Sequence, residues 1–287
     1  MSDVSAKSDV SAKSDASAMT DVPPDDVQEL VQYERDENIV TLRLNRPHKL
    51  NAFNDDLVIA LGEALRRFDT DPDAQVAVLC GNGRAFSTGA DVQQRQLRSR
   101  EEFERLGGPQ GHGANAGDLL INAVNWKPVI AAVHGYVMGL ATGITLESDL
   151  IVAAEGTQFQ ITETSRGLGG AKYWGLMQFR GAGAFGDEMA MTGRFFTAEE
   201  AFQHGIINRL APAGQHLEVA YELAREVAKN PPLSVRATVR ARRWYLGEMG
   251  RELTMMSAPL KLYLTEDFQE AARAFVEKRP AGPFKGR

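Results

Sequence analysis

Apolar positions along the chain follow two spacings in turn. Ile39–Leu44 reads IVTLRL, alternating and β-branched, and predicts a strand. RPHKLNAF follows as a turn. Asn54 then predicts an N-cap, with Asp55 and Asp56 in the first turn of a helix. Leu57, Leu61, Ala64, Leu65 and Phe68 give that helix its apolar stripe, and Arg66 and Arg67 fall in its last turn. Gln75–Gly81, Pro128–Gly135 and Asp149–Gly156 are nearly continuous apolar runs, as in strands covered on both faces. Helix-like text separates them, which predicts an α/β fold with mostly parallel pairing.

From about Thr197 the pattern turns helical. Thr197 and Glu200 form a capping-box spacing, and amphipathic text runs on past Pro231-Pro232 to about Glu277. The expected organisation is therefore a core over 27–196 and a helical C-terminal region over 197–287. Residues 2–19 repeat SDVSAK, SDVSAK, SDASAM and bury too little apolar surface to offset ordering entropy, so 1–26 is expected to be a disordered tail. Residues 93–118 are polar and end rich in glycine, and are expected to form a long loop that serves as a lid.

Composition narrows the function classes. Of 287 residues, 43% are hydrophobic and 24% charged, with net charge −6, so no basic stripe suggests nucleic acid. The basic cluster RATVRARRWY reads as a solvated helix face with Trp244 and Tyr245 tucked beneath. The single cysteine, Cys80, sits in an apolar strand and rules out an intramolecular disulfide. No apolar run of 18 residues predicts a membrane span, and no secretory signal is recognisable, so the cytoplasm is the expected location. The five histidines are scattered, so no metal site is expected.

Two segments carry candidate chemistry. GNGRAFSTGADV (81–92) and HGYVMGLATGITLESDL (134–150) each follow an apolar strand and are rich in small residues. In the second, helix-like text starts near Leu140, where unpaired N–H groups suit a developing oxyanion. One N–H donor from each loop would make an oxyanion hole.

Together with RPHKLNAF, FTAEEAFQHGIINRLAP and FVEKRPAGPFKGR, these segments resemble the enoyl-CoA hydratase/isomerase (crotonase) superfamily, from about Glu34 to Arg287. The resemblance implies a crotonase-like ββα spiral core with a C-terminal helical region, assembled as homotrimers or dimers of trimers. It implies an acyl-CoA thioester as substrate, with no separate cofactor. The oxyanion donors map to Ala90 and Leu140, the latter replacing the glycine usual in the family. CoA contacts map to Lys49, Leu50, Ala52, Thr88, Asp91 and Val92, with Lys278 toward the CoA phosphates. Hydratases of the family use two glutamates. One maps to Glu163; the other maps to Gly143 and is missing. Adding water is easiest with two carboxylates, whereas moving a double bond needs one base. The resemblance therefore favours an isomerase using Glu163. A hydratase-like lyase with another acid and a non-catalytic binding protein stay open. His112 in the polar loop is an alternative titrating group, Glu147 reads as structural, and Lys172, Tyr173 and Trp174 read equally as pocket lining or packing.

Overall fold

Strand pairing follows the apolar runs. The computed structural model describes residues 29–109 and 119–287. The expected N-terminal tail and His112 lie outside the described residues. The strands, in chain order, are β1 (Val31–Asp36), β2 (Ile39–Leu44), β3 (Val76–Gly81), β4 (Val129–Val133), β5 (Tyr136–Met138), β6 (Leu150–Ala154), β7 (Gln158–Gln160), β8 (Phe195–Thr197) and β9 (Arg209–Ala211). The helices are α1 (Asp55–Thr70), α2 (Val92–Arg95), α3 (Arg100–Leu106), α4 (Leu119–Ala123), α5 (Leu140–Glu147), α6 (Ala171–Phe179), α7 (Gly183–Thr192), α8 (Ala198–Gln203), α9 (His216–Ala228), α10 (Pro232–Ser257) and α11 (Glu266–Val276).

The large sheet has the order β1-β2-β3-β4-β6-β9, and a small one has β5-β7-β8. Only β1–β2 is antiparallel in the large sheet. Its central strands are buried on both faces, and the two faces serve different cores. Ala77, Leu79, Ala131, Val133, Ile151 and Ala153 join the main core with α1 and α5. Val76, Val78, Cys80, Ile130, Ala132 and Val152 form a second layer beneath α9. Continuous apolar text is what a parallel sheet covered on both sides requires. Asn54 caps α1 by accepting from the Leu57 amide at 2.9 Å, as its sequence predicts.

Three expectations change. Residues 93–118 are not one loop in their described part: Ser99 and Glu102 form a capping box that starts α3. The region beyond Thr197 returns once to the large sheet, as β9 beside β6, and is otherwise helical. The basic cluster on α10 is arranged opposite to the expected way. Trp244 and Tyr245 are exposed, while Arg243 is buried and reaches Asp149 at 2.5 Å and the carbonyls of Val124 and Lys127. Arg242 meets the same carboxylate at 3.2 Å. Asp149 in turn accepts from the Val129 amide at 2.8 Å, so α10 is fastened to the start of β4 and β6. A carboxylate shared by two arginines and an amide offsets desolvation that an unpaired charge could not. Among the described residues, no helix is long and apolar enough to cross a membrane.

Candidate functional site

The loops after β3 and β4 leave the large sheet at the carboxyl ends of neighbouring strands, where open α/β sheets place their ligands. Three stretches are stitched there. The Thr88 amide donates to the Leu50 carbonyl, the Phe53 amide to the Gly89 carbonyl and the Asp91 amide to the Phe53 carbonyl. The Ser87 amide donates to Tyr136, and Met138 donates back to Ser87. The two segments expected to contact CoA therefore lie side by side. Asn51 organises their base: it is fully buried, and its side-chain amide donates to the carbonyls of Asn82, Ala85 and Phe86 at 2.9–3.1 Å. Its oxygen accepts from the Arg46 amide at 2.8 Å.

Two glycines set the closeness of the loops. Gly89 has φ +84, and a Cβ there would lie 2.4 Å from the Met138 carbonyl oxygen and 3.4 Å from the Leu140 nitrogen. Gly139 has φ +49, and its Cβ would meet Thr162 Oγ1 at 2.4 Å. Both conformation and space exclude a side chain. Gly139 leads directly into α5, whose first residue, Leu140, keeps a negative φ. Among the described residues, neither the Ala90 amide nor the Leu140 amide donates to a protein acceptor. The structure thus brings the two expected oxyanion donors together. The Leu140 side chain is buried and lines the cavity in front of them.

That cavity has a volume of about 310 Å³. Ala90, Leu140, Gly143, Glu163, Lys172 and Tyr173 line its inner part. Its outer wall comes from Arg95 and Gly107–Pro109, in the stretch expected as a lid, and from Leu253, Thr254 and Ser257 on α10 with Lys261–Tyr263, which carried no signal in the sequence. Packing of α10 on α6 and of Tyr263 on Gly108 brings them there.

Glu163 is the one carboxylate among the described lining residues. It follows β7, and an added Cβ on Gly139 would be 3.2 Å from its Oε1, so the carboxyl sits beside the start of α5. The residue is half-buried, but Oε2 is sealed from solvent. Burial pushes the Glu163 carboxyl up to about 7; the Tyr173 hydroxyl, the amides of Glu163 and Thr162 and the charge of Arg166 pull the other way. Tyr173 is held well above its usual range, by burial first and by the neighbouring Glu163 and Glu147 carboxylates next. It therefore stays a neutral O–H donor.

Gly143 is bare for a visible reason. A Cβ there would lie 3.1 Å from Tyr173 Cε1 and 3.4 Å from its hydroxyl, so the phenol already fills the space of a side chain. Of the three residues left open between pocket and packing, Lys172 and Tyr173 line the cavity. Trp174 points outward and donates to Asp187 at 2.6 Å. Glu147 is structural, as read from its place in the helix: it is buried and paired with Lys172 Nζ at 2.6 Å.

Asp91 caps α2 and accepts from Arg46 Nη1 at 2.9 Å, so its carboxylate is engaged within the protein. Val92 starts α2, and Lys49 is exposed with Leu50 and Ala52 half-buried behind it. Lys278 lies on the exposed turn after α11 and does not line the cavity.

The sequence model described as enoyl-CoA hydratase/isomerase matches residues 34–287. The chain belongs to the enoyl-CoA hydratase/isomerase family. It is 34% identical to a putative enoyl-CoA hydratase of Thermus thermophilus, over 88% of this chain and 99% of that protein. It is 35% identical to the carnitinyl-CoA dehydratase of Salmonella typhi, over 91% of this chain and all of the other. Among solved structures, an enoyl-CoA hydratase/isomerase from Mycobacterium paratuberculosis superposes with a TM-score of 0.74 at 25% identity, covering 86% of this chain and 98% of that one. The crotonase-type fold expected from the motifs is therefore the fold of this family member, and it is an acyl-CoA enzyme.

Proposed function

We propose that this enzyme forms the enolate of an acyl-CoA thioester and uses Glu163 as its one carboxylate acid/base to move a double bond along the acyl chain. The observation that carries this reading is the isolation of Glu163. It is the one carboxylate among the described cavity-lining residues, it is held near neutrality, and Gly143 supplies no second acid. In a 3-enoyl thioester, Glu163 takes a proton from the carbon next to the thioester. The electron pair passes to the carbonyl oxygen, which the Ala90 and Leu140 amides hold. Return of the proton at the fourth carbon, counted from the carbonyl, places the double bond between the second and third carbons, in conjugation. In this reading CoA lies along Lys49, Leu50 and Ala52 and across Thr88, Asp91 and Val92, with the backbone of the Asp91 turn rather than its engaged carboxylate facing it. Lys278 then serves the CoA phosphates of a neighbouring subunit in a trimer or dimer of trimers, within the cytoplasm.

Hydration or dehydration is the second reading. Relatives named hydratase and dehydratase favour it, as does the Tyr173 hydroxyl standing where a side chain of residue 143 would begin. The two separate in heavy water. The protein is incubated with 2-enoyl-CoA and 3-enoyl-CoA of several lengths while hydration, isomerisation and α-proton exchange are followed. Exchange and isomerisation without hydration supports the first reading; hydration at enzymatic rates refutes it. Glu163→Gln is expected to abolish turnover, and unchanged turnover refutes the role of Glu163.

A further inference from the structure

Tyr173 has no role in a one-carboxylate reaction, yet its placement is specific. Its ring covers Gly143 on α5, its hydroxyl stands 3.4 Å from where a Cβ of residue 143 would be, and it lines the cavity. Glu163 Oε1 lies against Gly139 at the start of the same helix. Gly139 and Gly143 are four residues apart, about one helical turn and roughly 6 Å along the axis. The oxyanion donor Leu140 follows Gly139, so distance along α5 measures distance from the thioester carbonyl. Glu163 stands near the carbonyl end and the Tyr173 hydroxyl a turn farther along, with both side chains lining the cavity and close enough for each to shift the other's ionisation.

We propose that Tyr173 is the second proton carrier of this site: it donates its hydroxyl proton to the far carbon of the dienolate and recovers one from Glu163. The proposal rests on the enolate-forming reading above. In this scheme the Tyr173 hydroxyl donates to the Glu163 carboxylate while the site rests. When Glu163 takes the α-proton, the C–H bond breaks and its electron pair enters the dienolate. The tyrosine O–H is then free to turn to the fourth carbon, counted from the carbonyl, where a C–H bond forms as the O–H bond breaks. The double bond moves into conjugation and the carbonyl re-forms. The phenolate left behind takes the proton that Glu163 holds, which returns both groups to their starting state with no other reactant. The surroundings suit a phenol that must keep its proton until the dienolate exists. Glu147 lies close enough to disfavour an early phenolate, and Lys172, paired with Glu147 at 2.6 Å, limits that repulsion.

The test separates two proton transfers. Wild type, Tyr173→Phe and Glu163→Gln are compared in heavy water. α-Proton washout from a 3-enoyl-CoA is read by NMR, conjugation is read by ultraviolet absorbance, and binding of the ester is measured alongside. Tyr173→Phe keeps the ring that packs on Gly143. Washout needs only Glu163 and is expected to stay within about threefold in the Phe variant, while isomerisation falls by about 100-fold or more. Glu163→Gln is expected to lose both. Isomerisation that keeps pace with washout in Tyr173→Phe overturns the proposal, as does an equal fall in both. Lost ester binding also overturns it, since a proton carrier is not needed to hold the ground state. Absence of washout in the wild-type protein refutes the enolate reading and the tyrosine with it. Washout with unchanged isomerisation in Tyr173→Phe refutes the tyrosine alone.

Discussion

Glu163 is expected to make the protein less stable as pH rises through neutrality, and Glu163→Gln to remove that loss. The carboxyl is pushed from its ordinary 4.5 to about 7, mainly by burial. The folded protein therefore keeps a proton that the unfolded chain releases. Stability from this group is fully present below 4.5 and is lost as pH climbs through about 7. Each pKa unit is worth about 1.36 kcal/mol, so a shift of this size amounts to roughly 3 kcal/mol once the carboxylate is ionised in both states. Glutamine has nearly the same shape and no charge to desolvate. Its own gain or loss of hydrogen bonds to Tyr173 and the nearby amides is a pH-independent offset. The assay is denaturant unfolding of both proteins at intervals between pH 5 and 8.5. The variant should gain on the wild type by about 2–3 kcal/mol across that window, most of it between pH 5.5 and 7.5. Curves that stay parallel would refute the burial argument for this carboxyl.

Three further outcomes follow from the same geometry. The kcat/KM for isomerisation should rise with pH around a midpoint near 7, because Glu163 must be ionised to take a proton; a rate already flat from pH 5 upward contradicts this. Gly139→Ala should lower stability by about 1–3 kcal/mol, since its Cβ meets Thr162 Oγ1 at 2.4 Å in a left-handed backbone. It should also depress α-proton exchange more than ester binding, because it displaces the Leu140 amide; exchange and melting temperature both unchanged would count against it. Asn51→Ala strands three carbonyls and the Arg46 amide and should cost about 3 kcal/mol, read as a lower denaturant midpoint with an unchanged slope.

Local signals carried the parts of the molecule that local chemistry decides. The cap at Asn54 and the buried runs of β3, β4 and β6 each follow from a few adjacent residues. That Ala90, Leu140 and Glu163 meet at one cavity was legible from the family motifs, which mark the turns that carry them. Features set by distant partners were not legible. Arg242 and Arg243 read as a solvated face because Asp149, nearly a hundred residues earlier, is their partner. The outer cavity wall depends on where α10 and Tyr263 dock, and no periodicity encodes that. Strand β9 has three residues, too few for an alternation to show. The capping box at Ser99 was present in the text but masked by the polarity around it.

Gly143 and Tyr173 occupy one volume between them. A larger residue at 143 collides with the phenol, and a smaller one at 173 leaves a hole beside the reacting carbons. Neither position can therefore change first without loss, and a change to a carboxylate at 143 would have to pass through a crowded or a hollow site. The pair acts as a barrier to single substitutions at either position, built from one ring and one missing side chain.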